Sequence, residues 1–203
     1  MNKDSYHHGD LKHALLVGAC EMIATEGIQN MSLRKVARKI GVSHNAPYQH
    51  FADKEALLAA VAQEGFQRLT DELDTVIERT STQSCVEQLK ACGNTYIKFM
   101  MDNSAYLEVM FGPYPYEDYP ELAEAGLESL QRLIAVVARG QASGEIKSLN
   151  PVEVAGTVWM SLHGLSTILR NGKLPPQLVS ERTPTQLASD FLDVIYEGIL
   201  VQA

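Results

Sequence analysis

A chain of 203 residues that is 45% hydrophobic can bury one sizeable core or two small ones, which excludes an intrinsically disordered protein. Its net charge of −8 argues against a nucleic-acid partner only while the distribution of that charge is ignored. Residues 1–55 carry +1 (seven Lys and Arg, six Asp and Glu) and residues 56–203 carry −9 (ten against nineteen), so an acidic body would orient the amino-terminal end toward phosphate.

The first predicted helix runs from a cap at Asp10 to about Glu26 and ends at Gly27. Its apolar residues recur at helical spacing and would face inward: Leu15, Leu16, Ala19, Met22 and Ile23. Three histidines lie at or before this helix: His7, His8 and His13. No Cys or carboxylate cluster completes a metal-ligand set near them, so a phosphate-facing arm is predicted instead of a metal site.

The stretch from Ser32 to Lys54 predicts two short helices joined by a tight turn. Ser32 would cap the first helix, and Gly41 would end it. One face of this helix is apolar and the other is basic: Leu33, Val36, Ala37 and Ile40 against Arg34, Lys35, Arg38 and Lys39. Ser43 would cap the second helix, which reaches about Gln49. Helices joined so closely must cross steeply, as in a helix-turn-helix whose second helix enters the DNA major groove.

The side chains of this recognition helix are of the types that read base edges. Asn45 or Gln49 suits a bidentate contact with adenine, and Ala46 suits contact with a thymine methyl group. Three further side chains are predicted to bind phosphate: Tyr48, His50 and Lys54. The complete set of predicted DNA-binding residues is Ser32, Arg34, Lys35, Ser43, His44, Asn45, Ala46, Tyr48, Gln49, His50 and Lys54.

These motifs resemble the signature of the tetracycline-repressor (TetR) family over Gly41-Val42-Ser43, Pro47-Tyr48-Gln49-His50-Phe51 and Asp53-Lys54-Glu55-Ala56-Leu57-Leu58. The stretch Tyr6-His7-His8-Gly9-Asp10-Leu11 also resembles the entry to the first helix of that family. The resemblance implies a three-helix DNA-binding domain followed by a helical domain that dimerises and often binds a small ligand. Pro47 departs from the aliphatic residue usual there. Because proline removes a backbone donor, a distorted recognition helix is expected.

From Asp53 the apolar spacing predicts one long helix that reaches about Arg79. At 1.5 Å per residue it would span roughly 40 Å. It would therefore connect two domains, residues 1–55 for DNA binding and residues 56–203 for dimerisation and ligand binding. As a rigid rod, it would transmit the motion of one domain to the other.

The remaining chain predicts further amphipathic helices and an all-α fold of about nine helices. One carries Cys85, Leu89, Cys92, Tyr96 and Met100, and a short one follows from a cap at Ser104 to Phe111. The next spans Leu122 to about Ser143, with Leu127 and Leu130 among its apolar positions. Two strong start signals then open the last two helices: Asn150-Pro151-Val152-Glu153 and Thr183-Pro184-Thr185-Gln186.

Residues 112–120 form a proline-rich loop that contains three of the eight tyrosines. The loop is either a lid over an apolar pocket or a surface loop pinned to the core by its aromatic rings. Candidate ligand-binding residues are Phe99, Tyr106, Met110, Phe111, Trp159 and His163. Trp159, His163 and Gly164 resemble a Trp…His-Gly pattern found in one branch of the family's carboxy-terminal domains. His163 is alternatively a hydrogen-bonded histidine of the core or an interface.

Small residues in the last two helices, Gly156, Gly164 and Gly198, suit a four-helix interface between two identical subunits. An odd cysteine count without a CxxC pair or a signal peptide fits a reducing cytoplasm. The uncharged stretch from Val154 to Leu169 is polar and shorter than a membrane span, which favours a buried helix and no membrane partner.

These features predict a homodimeric, sequence-specific transcription regulator that binds a palindromic operator on double-stranded DNA. The resemblance to the TetR family implies that it is a repressor released by a small-molecule effector. One alternative is an architectural DNA-binding protein without a ligand. Another is a helical enzyme that uses Cys92 or His163, but no nucleophile, base and carboxylate occur together, and no phosphate loop is present. No catalytic residue, metal or cofactor is therefore expected.

Overall fold

The structure is a computed structural model that describes residues 8–179 and 182–199. Within these ranges it contains nine α-helices, two short 3-10 helices and no β-strand. The α-helices are α1 (His8–Glu26), α2 (Leu33–Lys39), α3 (Lys54–Arg79), α4 (Cys85–Asp102), α5 (Ser104–Val109), α6 (Pro120–Ala142), α7 (Pro151–Arg170), α8 (Pro176–Val179) and α9 (Pro184–Ile199). The predicted all-α fold is confirmed. The predicted arm, with Tyr6 and His7, lies outside the described residues.

Most helix boundaries follow from capping side chains that the sequence identifies. The Ser32 hydroxyl accepts a hydrogen bond from the Lys35 N–H at 3.3 Å, and the Asn150 carboxamide oxygen accepts one from the Val152 N–H at 3.0 Å. Thr183 and Gln186 form a reciprocal capping box at the start of α9. Each cap satisfies a backbone donor that the first helical turn leaves without a partner.

Four details of the helices differ from the predictions. The described part of α1 starts at His8, so Asp10 lies inside the helix, and α5 includes Ser104 as its first residue. The 3-10 helix Ile28–Asn30 and the short helix α8 were not predicted, because elements of three or four residues have no apolar period to detect. Leu127, one of the apolar positions on which the helix α6 was predicted, is 53% exposed.

The chain forms two compact units. The first contains the residues up to Gly65 together with Ser104–Ala123, and the second contains Phe66–Asn103 together with the chain from Glu124 onward. α3 and α6 each contribute to both units. The predicted division at residue 55 is a functional one, and it stays a prediction.

The first unit is built around the apolar faces of α1 and α2. Leu15, Val36 and Leu57 are fully buried, and Phe51 is 4% exposed. α5 also packs against α1, so a segment from the middle of the chain completes the core of the amino-terminal unit. This core fixes the orientation of α2 and of the segment that follows it.

In the second unit, α4, α7 and α9 pack against one another. Gly93 permits the close approach of α4 and α9, because a Cβ atom there would lie 2.7 Å from the Leu192 Cδ1 atom. Phe99, Met100 and Tyr196 fill the interior. The interior of this unit is therefore densely packed around α4.

Gln88 is a buried polar side chain in this unit that sequence reasoning missed. Its amide nitrogen donates hydrogen bonds to the carbonyl oxygens of Ile77, at 3.3 Å, and Thr80, at 2.8 Å. Its amide oxygen accepts a hydrogen bond from the Arg139 Nη2 atom at 2.6 Å. Gln88 thus joins the carboxy-terminal end of α3 to α4 and α6.

Two glycines of α6 provide a test of packing. A Cβ atom at Gly140 would lie 2.5 Å from the Ile146 Cδ1 atom and 3.0 Å from the Cys85 Cβ atom. A Cβ atom at Gly126 would meet the Phe66 ring at 3.6 Å, an ordinary contact distance. We expect Gly140→Ala to lower the free energy of unfolding by about 1–3 kcal/mol through overpacking. Gly126→Ala should instead leave it unchanged or raise it by about 0.5–1 kcal/mol.

Urea denaturation of the full chain at one fixed protein concentration measures both changes. Equal effects at the two positions would contradict the packing around Gly140.

Candidate nucleic-acid interface and an apolar cavity

The recognition segment is a 3-10 helix, Ala46–Gln49, and not the α-helix predicted from Ser43. Ser43 does not cap it: the Ser43 carbonyl accepts a hydrogen bond from the Ala46 N–H at 3.0 Å, which forms a turn before the helix. Pro47 is buried at the start of the helix, where it has no N–H to continue an α-helical ladder. The distortion predicted from Pro47 is confirmed.

The side chains predicted to read bases lie at the surface of this segment. His44, Asn45 and Gln49 are exposed, and Tyr48 is 49% exposed. Asn45 makes no capping hydrogen bond, so its amide is available to pair with a base edge. Ala46 is half-buried, which leaves its methyl group less accessible to a thymine than predicted.

The basic side chains of α2 divide into two kinds. The Lys35 ammonium donates a hydrogen bond to the Asn30 carbonyl at 2.7 Å, and the Lys39 ammonium lies 3.1 Å from the Glu21 carboxylate. The guanidinium groups of Arg34 and Arg38 are exposed at the surface of the helix. Exposed ion pairs contribute little, at most about 1 kcal/mol, so the lysines can exchange their partners for phosphate.

Lys54 has a structural contact that the sequence did not reveal. Its ammonium donates a hydrogen bond to the Ile28 carbonyl at 2.7 Å, and the Ile28 N–H donates to the Glu108 carboxylate at 3.1 Å. Both polar backbone groups of Ile28 are therefore held. An ammonium has three donors, so this contact leaves Lys54 able to bind phosphate as well. Asp53 caps α3 by accepting the Ala56 N–H at 2.8 Å.

The second unit contains an apolar cavity between α3, α4, α6 and α7. Its apolar lining consists of Leu69, Leu73, Leu130, Leu133, Leu162 and Trp159. The polar part of the lining is small: Cys92, Tyr96 and Ser129, with Gly93. The cavity volume is about 30 Å³, which is room for about two or three waters. A larger guest must displace side chains.

Three aromatic side chains meet at one wall of this cavity. The Tyr96 hydroxyl lies 3.0 Å from the His163 Nδ1 atom, and the rings of Trp159 and His163 are stacked with centroids 6.3 Å apart. Burial raises the pKa of Tyr96, and a hydrogen bond with Trp159 opposes this shift. Burial lowers the pKa of His163, which favours the neutral imidazole. The Tyr96 phenol and the His163 imidazole are therefore both uncharged near neutral pH.

Cys92, the nucleophile of the enzyme alternative, lies in an environment that suppresses its reactivity. The thiol is 2% exposed, and burial raises its pKa to about 12. Only the thiolate is nucleophilic, so this cysteine is inert at neutral pH. Packing in the buried face of α4 accounts for its position.

The other predicted ligand-binding residues lie apart from this lining. Phe99 is buried in α4. Tyr106 and Met110 belong to the first unit, where both would lie 2.9 Å from a Cβ atom at Gly65. Phe111 is half-buried in the same unit. Of the six predicted residues, the described lining contains Trp159 alone, and the ring of His163 stacks on the ring of Trp159.

The proline-rich loop contacts its own unit through its aromatic rings. Tyr114 packs edge-to-face on Tyr119 with centroids 6.0 Å apart, and the Tyr119 hydroxyl donates to the Glu55 carboxylate at 3.3 Å. Tyr116 is 73% exposed. These contacts agree with a loop pinned by aromatic side chains, and no described contact supports a lid.

The described residues contain neither a metal-binding cluster nor a membrane-spanning helix. Among residues 8–179 and 182–199, no group of three or more His, Cys, Asp or Glu side chains is arranged to hold a metal ion. In the same part of the chain, no helix is both long and apolar enough to cross a membrane.

Comparison with known proteins identifies the family. The sequence model of the bacterial regulatory proteins of the tetR family matches residues 15–61, and that of the tetracyclin repressor-like carboxy-terminal domain matches residues 89–193. The chain therefore belongs to the TetR family, which is a family of regulators and not of enzymes. Trp159, His163 and Gly164 lie within the second match.

Individual relatives are distant in sequence. The HTH-type transcriptional regulator Rv1816 of Mycobacterium tuberculosis is 24% identical over 129 residues, which cover 62% of this chain and 55% of that protein. The uncharacterized HTH-type transcriptional regulator YobS of Bacillus subtilis is 28% identical over 91 residues, or 44% of this chain and 46% of that protein. The chain thus aligns with about half the length of the curated relatives it matches.

Solved structures confirm the fold over nearly all of the chain. A protein of unknown function from Rhodococcus sp. RHA1 has a TM-score of 0.84 and 29% identity, and covers 98% of this chain and 100% of its own. The fatty acid degradation regulator FadR from Bacillus halodurans has a TM-score of 0.71 and 17% identity, with 95% of each chain covered. At that identity, the second likeness establishes the fold alone.

Proposed function

We propose that this protein is a homodimeric, sequence-specific DNA-binding repressor whose operator affinity falls when a small molecule binds its second unit. The observation that carries the proposal is the exposed edge of the recognition segment, where Asn45, Tyr48 and Gln49 project from a core fixed by α1 and α2. As a partner of chromosomal DNA, the protein would act in the cytoplasm.

The chemistry of that exposed edge supports recognition of a specific DNA sequence. A carboxamide pairs with adenine through two hydrogen bonds, and each such pair discriminates by about 1–3 kcal/mol. The exposed Arg34 and Arg38 would bind phosphate and set the register without reading sequence. In a dimer, two such edges about 34–36 Å apart enter successive major grooves, so the operator should be palindromic.

An apolar stripe on the last helices supports the homodimer. On α7, every fourth residue from Val152 to Ile168 is apolar or glycine: Val152, Gly156, Met160, Gly164 and Ile168. The large members of this stripe are exposed, Met160 by 60% and Val152 by 53%, and on α9 Val194 is exposed by 70%. A Cβ atom at Gly156, Gly164 or Gly198 would meet nothing within 4 Å. A second copy of the chain can occupy this space and bury the stripe.

The effector step is a shift between two arrangements of the dimer. A ligand that binds one arrangement more tightly lowers the population of the other, and by linkage it lowers operator affinity. The cavity admits only two or three waters as it stands, so a larger ligand must displace side chains of the surrounding helices. α3 contributes both to the cavity and, at its start, to the DNA-binding unit, which makes it the natural lever.

The alternative of an architectural protein predicts no sequence preference and needs no cavity. Competition with random DNA at physiological salt separates the two functions, because a regulator retains its preference for the palindrome whereas an architectural protein loses it to the competitor.

Two exposed side chains of the first unit separate base reading from phosphate binding. We expect Asn45→Ala to lower the preference for the operator over a mutated site by about 1–3 kcal/mol. Arg34→Gln should weaken binding to all sequences alike and reduce by about one the slope of log affinity against log salt concentration. Both residues are exposed, so neither change should unfold the protein.

Titration of operator and mutated duplexes at several salt concentrations measures these changes. A uniform loss on every sequence for both variants would contradict the roles assigned to Asn45 and Arg34.

A further inference from the structure

The cavity of the second unit has no charged side chain in its described lining. Two cations of the adjoining helices are engaged with carboxylates of the same unit. Arg132 forms a bidentate pair with Asp74, and Lys90 lies 2.8 Å from the Asp193 carboxylate. A carboxylate or phosphate in the cavity would lose its hydration without gaining a counter-charge from the described lining, which disfavours its binding.

Among the polar atoms of the lining, the Tyr96 hydroxyl lies at the aromatic wall beside Trp159. The Ser129 hydroxyl donates its proton to the Gly126 carbonyl at 2.9 Å and can only accept from a guest, and the Cys92 thiol is a weak hydrogen-bonding group. The Tyr96 hydroxyl pairs with His163 and Trp159, yet a hydroxyl has one donor and two acceptor positions. One hydrogen-bonding position on the Tyr96 hydroxyl therefore remains for a guest.

Which position remains depends on the tautomer of His163. If the neutral Nδ1 atom accepts the Tyr96 proton, the phenol oxygen can still accept a hydrogen bond from a guest. If Nδ1 carries the proton and donates it, the phenol O–H is left to donate to a guest. A hydroxyl group can donate or accept, so it pairs with Tyr96 in either case.

We infer, resting on the function proposed above, that the effector is an uncharged, predominantly apolar molecule that carries a hydroxyl group, and that the Tyr96 hydroxyl recognises this group. The leucines and Trp159 bind the apolar part, and the absence of a cation in the described lining excludes acids and phosphate esters.

The single tryptophan of the chain provides the readout, because Trp159 lines the cavity. Three single-ring compounds of similar size serve as test ligands: benzyl alcohol, toluene and benzoate. We expect the full-length protein to change its tryptophan fluorescence with benzyl alcohol at concentrations at least tenfold lower than with benzoate. Equal or tighter binding of benzoate would overturn the inference of an uncharged ligand.

The Tyr96→Phe variant tests the recognising group. It should lower the ratio of the toluene to the benzyl alcohol dissociation constant by about 2- to 10-fold, the contribution of one hydrogen bond. The matched control is Tyr196→Phe, which removes an equally buried hydroxyl that has no hydrogen-bond partner among the described residues and lies outside the lining. The control should keep the wild-type ratio. An unchanged ratio in Tyr96→Phe, or an equal fall in the control, would overturn the role of Tyr96.

The same protein samples are tested for binding to a selected operator. Operator binding without any fluorescence response to the three compounds would overturn this inference and leave the DNA-binding function standing. A fluorescence response in the expected order without sequence-specific DNA binding would overturn the proposed function, and the chemistry of the cavity would stand.

Discussion

A Met160→Glu chain is expected to be monomeric and to lose its affinity for the palindromic operator. Met160 is 60% exposed at the centre of the α7 stripe, with Gly156 and Gly164 one turn to either side. A carboxylate buried there without a partner costs several kcal/mol in each subunit, so the dimer dissociation constant should rise by about 100-fold or more. Each monomer then offers one recognition segment, and the operator loses the contribution of the second half-site.

Analytical ultracentrifugation and operator titration measure these effects, and Leu127→Glu is the matched control. Leu127 lies on α6 outside the stripe and is 53% exposed, so it places the same charge on the same unit at similar exposure. The control should remain dimeric and bind DNA normally. A dimeric Met160→Glu protein, or a monomeric control, would contradict the assignment of the interface.

A Gln88→Leu chain is expected to lose about 2–4 kcal/mol of its free energy of unfolding. Leucine approximates the volume of glutamine but leaves the Ile77 and Thr80 carbonyls without these donors, and Arg139 without this acceptor. Buried groups deprived of a hydrogen bond cost about 1–3 kcal/mol each. The loss should appear as a lower urea midpoint at an unchanged slope.

Gln141→Leu is the matched control for this loss. The Gln141 amide likewise donates to two carbonyl oxygens, those of Lys147 at 3.0 Å and Leu149 at 2.9 Å, but both bonds are exposed to solvent. Water can replace them, so the expected loss is below about 1 kcal/mol. Equal losses of stability in the two variants would show that the burial of the Gln88 hydrogen bonds does not stabilise the carboxy-terminal end of α3.

Local signals predicted much of the fold because they act over a few residues. Ser32 and Asn150 cap the helices that they were expected to cap, and the predicted inner residues Leu15 and Val36 are fully buried. Caps and apolar periods depend on the chain within about two helical turns. The boundaries and buried faces of α2 and α7 therefore follow from their own residues.

Contacts between residues distant in the sequence were not predictable in this way. Nothing near Lys54 indicates that its ammonium binds the Ile28 carbonyl, and nothing near Gln88 indicates its burial. Both depend on which helices pack together. The predicted α-helix of the recognition segment was wrong for a different reason. Ser43 was expected to cap an α-helix, but the Ser43–Ala46 turn and Pro47 together favour a 3-10 helix.

The candidate cavity illustrates the same limit. The aromatic and Met residues around 106–111 were predicted to bind a ligand because they are clustered in the sequence. Tyr106 and Met110 instead pack within the first unit. The residues that line the cavity come from four helices, and leucines predominate among them. A leucine at an inner helical position has the same sequence signal whether it fills a core or faces a cavity.

Selection of bound duplexes from a random pool by the purified full-length protein would show whether two recognition segments read DNA as a pair. We expect an inverted repeat whose half-sites lie one helical turn apart, and the Asn45→Ala protein should relax the preference at one base pair of each half-site. Recovery of duplexes without any shared sequence, or of a single unrepeated site, would contradict a paired reading of DNA by this fold.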